Sequence, residues 1–206
     1  NTGLTVANTG SVTTTAASKD ITLQAAEGGN TNTLSVQGAI SATGNAFVQS
    51  WGHLDNSGLG TVTATGTVTL ESGKNQSTTA TNYRTMNLGA AITAGGTITG
   101  TAYGTLTLTG AMTSAGSIAL SSGLYYVNTT TFNGQAMNIN GSITSTATAG
   151  TITLNAGGAF SNNAAGVITA SGAQGGVVIT AGKGVNLAAA SATYDLTLSG
   201  NVTSGT

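Results

Sequence analysis

Short alternations of apolar and polar residues, broken by glycine, run through the whole chain. Five nine-residue segments align without gaps: LSVQGAISA (34–42), MNLGAAITA (86–94), LTLTGAMTS (106–114), MNINGSITS (137–145) and LTLSGNVTS (196–204). Their template is apolar, polar, apolar, variable, Gly or Ala, variable, apolar, Thr or Ser, small. Side chains of an extended chain alternate between two faces, so positions one, three and seven share the face that carries Leu, Met, Ile and Val. The opposite face carries Thr, Ser and Asn. A glycine in the middle has no side chain to pack and tolerates the backbone angles of a bend. Each unit therefore predicts a short strand, a corner and another short strand. A shorter unit accompanies it at ITLQA (21–25), VTLES (68–72), SIALSSG (117–123), TITLNAGG (151–158) and GVVITAG (176–182).

No single unit of this size buries its apolar face alone, and stacking coils in parallel solves that problem. The pattern predicts an all-β chain: a right-handed parallel β-helix (β-solenoid) of roughly eight coils with inserted loops, spanning 1–206 as one segment. At a strand spacing of ~4.8 Å such a rod is roughly 40 Å long. An antiparallel β-sandwich also has short strands and turns, but leaves the near-identical motifs harder to explain. The copies are separated by 52, 20, 31 and 59 residues, which fits coils of roughly 20 to 30 residues with insertions. Three segments break the repeat: 45–60, 74–85 and 124–136.

Composition narrows the classes. Charged residues make up 4% of the chain, against ~25% in ordinary soluble domains, and the net charge is −1. Neither nucleic acid nor an anionic membrane finds an electrostatic footprint here. Apolar runs such as Val177-Val178-Ile179 fall far short of a spanning helix, and glycine interrupts the alternation too early for a transmembrane barrel. The 39% hydrophobic content, rich in β-branched residues, argues against disorder. Proline is absent, which suits a chain hydrogen-bonded into sheet nearly everywhere. There is no cysteine for disulfides or thiolate metal sites. The chain opens and closes in repeat-like sequence, so the reading expects a piece of something longer. Its end coils would continue into another coil or subunit, unless capping helices or loops cover both ends.

Stretches such as GTLTLTGAMTSAGSIALSSG and GTITLNAGGAF resemble the β-strand repeats of giant exoproteins related to filamentous haemagglutinin, and of similar autotransporter passengers. The resemblance covers most of the chain and is one of composition and period. It implies secretion to the bacterial cell surface, a β-helix, and roles in adhesion or biofilm. It implies no active site, and the family's proline-containing secretion module has no counterpart here.

Candidate chemistry sits where the repeat breaks. Trp51, His53, Asp55, Arg84, Tyr125 and Tyr126 are the residues to watch as ligand or partner contacts. Exposed rings stack on sugars, and Asp or Arg hydrogen-bonds hydroxyls, which would make a glycan site; alternatively Trp51 and the tyrosines cover a corner between coils. His53 and Asp55 share a face of an extended segment. A triad also needs a positioned Ser, and one His among many hydroxyls says little. Glycoside hydrolysis needs paired carboxylates, whereas Asp20, Glu27, Asp55, Glu71 and Asp195 are scattered. Zinc and calcium lack ligand sets. The expectation is therefore no enzyme, no metal and no cofactor.

The leading expectation is a secreted, extracellular structural and adhesive rod. Its partners would be a surface glycan, a host or neighbouring cell surface, or further copies joined end to end or laterally. A self-assembling filament subunit is the alternative. Outward Thr-x-Thr pairs such as Thr67/Thr69, Thr97/Thr99, Thr105/Thr107 and Thr151/Thr153 raise ice binding as a third reading. Uneven repeat spacing speaks against a lattice-matched face, and threonine's strand propensity explains the pairs more simply.

Overall fold

The computed structural model describes residues 4–7, 9–25, 32–73, 84–123, 134–182 and 195–205. Within them the alternating segments are strands, and no helix occurs. Coil 1 holds β1 (Thr5–Val6), β2 (Ser11–Thr13) and β3 (Ile21–Ala25), and coil 2 holds β4 (Thr33–Val36), β5 (Ala39–Ala42) and β6 (Ala46–Ser50). Coil 3 follows with β7 (His53–Asn56), β8 (Val62–Ala64) and β9 (Val68–Ser72). Coil 4 has β10 (Met86–Leu88), β11 (Ile92–Ala94) and β12 (Ile98–Ala102); coil 5 has β13 (Leu106–Leu108), β14 (Met112–Ser114) and β15 (Ile118–Ser122). Coil 6 comprises β16 (Met137–Ile139), β17 (Ile143–Ser145) and β18 (Thr151–Ala156). Coil 7 comprises β19 (Phe160–Asn162), β20 (Ile168–Ala170) and β21 (Gly176–Thr180), and coil 8 adds β22 (Leu196–Leu198) and β23 (Val202–Thr203).

First strands pair with first strands, second with second and third with third, always parallel, giving sheets of eight, eight and seven strands. We call them the first, second and third faces. This is a parallel β-solenoid, and the eight rungs put its first and last about 34 Å apart at the usual strand spacing.

The inward positions follow the template. On the first face Leu34, Leu54, Met86, Leu106, Met137 and Phe160 stack in register and are almost wholly buried. Ile40, Val62, Ile92, Met112, Ile143 and Ile168 form the matching column of the second face. Burial of such side chains, worth roughly 1.5–3 kcal/mol each, is the main force holding the rungs together. Where the second and third faces end, inward residues shrink to Ala or Ser, as at Ala64, Ala94, Ser114, Ser72 and Ser122, because the chain must turn there without crowding its interior. Corners also bring backbones of neighbouring rungs together. A Cβ on Gly141 would lie 1.9 Å from the Gly110 carbonyl oxygen, so only glycine fits that corner.

Two rungs use a different corner. Asn56 and Asn162 occupy inward positions that are Leu88, Leu108 and Ile139 elsewhere, and both are buried. Asn56 Nδ2 donates to the Gly60 carbonyl at 2.8 Å, and its Oδ1 accepts from the Gly89 and Ala90 amides of the next rung at 3.1 Å each. Asn162 repeats the arrangement with Gly166, Ser199 and Gly200. Both stand before longer corners, 57–61 and 163–167, whose extra backbone groups the amide satisfies.

The register also explains the uneven spacing of the motifs. Met86 pairs with Leu106, so the bare coil takes 20 residues. Although coil 1 also spends seven residues, 14–20, between its second and third strands, the largest additions fall at one corner, between the third strand of a coil and the first strand of the next. Coils 2, 4 and 6 cross it with 51–52, 103–105 and 157–159; coils 1, 3, 5 and 7 use 26–32, 73–85, 123–136 and 181–195. Long and short junctions thus alternate along the rod. Segment 45–60, expected to interrupt the repeat, does not: it forms β6 and β7 in register with their neighbours. Its inward residues Ala46, Val48, Ser50, Leu54 and Asn56 keep the period, and only the outward Phe47 and the corner residue Trp51 disguise it.

No described helix caps either end. In the last described rung the inward Leu196, Leu198 and Val202 are 50%, 51% and 39% exposed.

Candidate functional site

The expected site residues fall into two groups. Tyr125 and Tyr126 lie outside the described residues. The other four gather around the corner between the third and first faces, on neighbouring rungs. Trp51 follows β6 directly, is half-buried, and its amide donates to the Ala25 carbonyl at 3.0 Å. Arg84 returns the chain to the first face one rung on. His53 and Asp55 share the outer side of β7, alternating with buried Leu54 and Asn56.

Glycine and serine build this corner. Gly73, Gly123 and Gly182 leave the third face with φ of 75°, 54° and 67°, a left-handed turn that glycine makes without a steric penalty. Ser72 Oγ donates to the Arg84 carbonyl and Ser122 Oγ to the Gln135 carbonyl, both at 3.1 Å. Each serine clasps together the two ends of a long junction, so the excursion closes before the next rung begins. Tyr103 reaches the same place: a Cβ on Gly73 would meet its Cβ at 2.8 Å and that of Arg84 at 2.9 Å. Sequence reading overlooked Tyr103 because TAYGT continues the repeat without a break.

Arg84 is 2% exposed, and its Nε and Nη2 have no hydrogen-bond partner among the described residues. Burial lowers its pKa. The guanidinium, so placed, imposes a cost on the fold, and its charge is felt next door. Burial first, and the Arg84 charge second, lower the pKa of His53. The Thr85 amide donates to His53 Nδ1 at 3.0 Å, and the Thr85 hydroxyl lies 2.8 Å from the same nitrogen. Nδ1 is therefore an acceptor, and the neutral ring carries its proton on Nε2. Asp55 does not orient it: Asp55 Oδ1 accepts from the Ser57 amide at 2.9 Å, closing its own turn.

A depressed histidine pKa stabilises the fold above the unfolded value of 6.5 and ceases to do so as pH falls toward the folded value. The melting temperature should accordingly drop modestly from pH 7.5 to 5.5, and His53→Gln should flatten that slope. Arg84→Met should keep or raise the melting temperature, because a buried guanidinium with two nitrogens unpartnered among the described residues is replaced by an apolar chain of similar length. In that variant the single imidazole signal in NMR should titrate at higher pH; an unmoved titration would mean that the Arg84 charge does not reach His53.

The faces carry their own chemistry. On the third face Gln24 donates to Gln49 at 2.8 Å and Gln49 to Glu71 at 3.1 Å, a polar ladder over three rungs. On the second face the outward column in register runs Thr13, Ser41, Thr63, Thr93, Thr113, Thr144, Thr169, Thr203. Among the described residues no three His, Asp or Glu side chains gather as metal ligands, and no helix is long and apolar enough to cross a membrane. No family model, no curated protein and no solved structure matches the chain.

Proposed function

We propose that this chain is a non-enzymatic extracellular rod of a bacterial surface protein, which holds adhesive segments away from the cell. The observation that carries this reading is the alternation of long and short junctions at a single corner. A solenoid that tolerates large additions at one place on every second rung, while its faces stay in register, behaves as a scaffold with an edge free to vary. The scarcity of charge favours a rod whose rungs associate independently of salt. Among the described carboxylates, Asp55 and Glu71 occupy different faces, and Asp55 and Asp195 are five rungs apart, about 24 Å. That separation suits a scaffold better than an acid–base pair.

The test deletes 74–83 and 124–133, which leaves junctions of three and four residues, close to those of coils 4 and 6, and compares the variant with the parent on glycan arrays and cell surfaces. The expected result is an intact β-sheet circular dichroism spectrum and melting within a few degrees of the parent, with surface binding lost. A parent that binds no glycan or cell surface would sink the adhesive part. Loss of folding on shortening would sink the scaffold part.

The filament alternative draws on the exposed apolar residues of the last described rung. If the exposed Leu196, Leu198 and Val202 pair with the opposite end of a second copy, head-to-tail association is heterologous and open-ended. Fibres in electron micrographs, abolished by Leu198→Lys, would favour it; monodisperse short rods would count against it.

A further inference from the structure

We propose that the second face, through its column of threonines, binds ice. Seven of its eight outward central positions are threonine and the eighth is Ser41. Strand propensity alone would spread threonine over all three faces. The equivalent column of the first face instead reads Thr5, Ser35, Asp55, Asn87, Thr107, Asn138, then Ser161 and Thr197. That of the third face is interrupted by Phe47, Ala119 and Val178. Enrichment on one face needs a cause particular to that face.

Hydrogen bonding gives a second, independent sign. None of the eight hydroxyls in the column has a hydrogen-bond partner among the described residues. One position further along the same face, Thr65, Thr146 and Ser171 donate to backbone carbonyls of the rung before. Hydroxyls at the rim are closed on the protein, whereas those in the middle are left open at every rung.

The occupant follows from what the face offers. It presents a methyl and a hydroxyl every ~4.8 Å along the rod, with each hydroxyl able to donate once and accept twice. No charged residue and no aromatic ring stands at its outward positions. Glycan surfaces are held largely by stacked rings and charged or amide groups, which this face lacks. Ice asks for the reverse: an uncharged, periodic array that hydrogen-bonds an ordered water layer while methyl groups settle between the waters. Most of the uneven motif spacing that speaks against such a lattice falls at the far corner, and the corners beside this face take up the rest without breaking the register of the column.

The experiment grows an ice hemisphere slowly from a dilute solution of the whole chain and compares the protein held in ice with that in the liquid. Three proteins are used: the parent, Thr93→Lys/Thr113→Lys/Thr144→Lys, and Asn87→Lys/Thr107→Lys/Asn138→Lys on the first face. The parent and the first-face variant should be enriched in ice, and the second-face variant should fall at least tenfold. The single change Thr113→Val, which keeps shape and removes one hydroxyl, serves should the triple variant not fold, and should lower incorporation measurably. Exclusion of the parent from ice, or equal loss in both triple variants, overturns the proposal. So does exclusion from ice combined with sedimentation on powdered crystalline polysaccharide, which would make the face a glycan surface. None of these outcomes touches the rod reading, whose readout is at another corner.

Discussion

Leu106→Ala is expected to destabilise the rod by about 2–5 kcal/mol, the range for emptying a fully buried leucine site. Leu106 is completely buried between Met86 and Met137 of the adjoining rungs, so neither neighbour can fill the gap without disturbing its own rung. In a stack where each coil touches only its neighbours, stability is close to a sum of coil and interface contributions. A weak central rung should therefore broaden the urea transition or split it in two, as well as lower its midpoint. Leu196→Ala removes the same side chain from the same column, but there the leucine is 50% exposed. It should cost less than about 1 kcal/mol, since most of the side chain never left water. Equal midpoints for the two variants would contradict a linear stack.

Asn56→Leu should be nearly as damaging, even though leucine is the residue found at that inward position in other coils. The substitution strands the Gly60 carbonyl, which is buried and loses its 2.8 Å donor. It also removes one acceptor of the Gly89 and Ala90 amides, leaving those amides the Asn56 backbone carbonyl. A stranded buried polar group costs about 1–3 kcal/mol, and leucine's extra burial recovers part of that. A net loss of about 2 kcal/mol is expected for Asn56→Leu, and likewise for Asn162→Leu, by denaturant melts. Combining Asn56→Leu with a shortened corner that deletes Gly58 and Leu59 should recover stability, because 57–61 then matches 89–91 of the next rung. Failure of that rescue would show that the amide does more than fill a longer corner.

Much of the fold could be read from residue order. The strand-corner-strand template needs only period-two alternation and a small residue at the turn, and both are visible in LTLTGAMTS. Two things resisted. Segment 45–60 looked foreign because its outward Phe47 and its corner residue Trp51 are bulky rings, whereas the fold is decided by the inward residues. The Asn56 corner passed unnoticed because a lone asparagine in HLDNSGLG looks like a loop residue; its role depends on amides 33 and 34 positions away. Of the watched residues, His53, Asp55, Trp51 and Arg84 do converge on one region. Their proximity arises from stacking across rungs, which spacing along the chain does not reveal. The threonine column was hidden likewise: its members lie 20 to 34 residues apart, and only register lines them up.

The alternation of junctions has a consequence for how such a chain changes length over generations. Leu34, Met86 and Met137 begin successive pairs of coils, 52 and 51 residues apart. One pair is a complete module: its entry and exit present the same three strand edges, and its one long junction leaves from the same corner. In-frame duplication or loss of a module through unequal recombination would add or remove about 10 Å of reach without a new interface having to be invented. The molecule is built like a measuring rule, whose graduations can be multiplied while each mark is free to diverge.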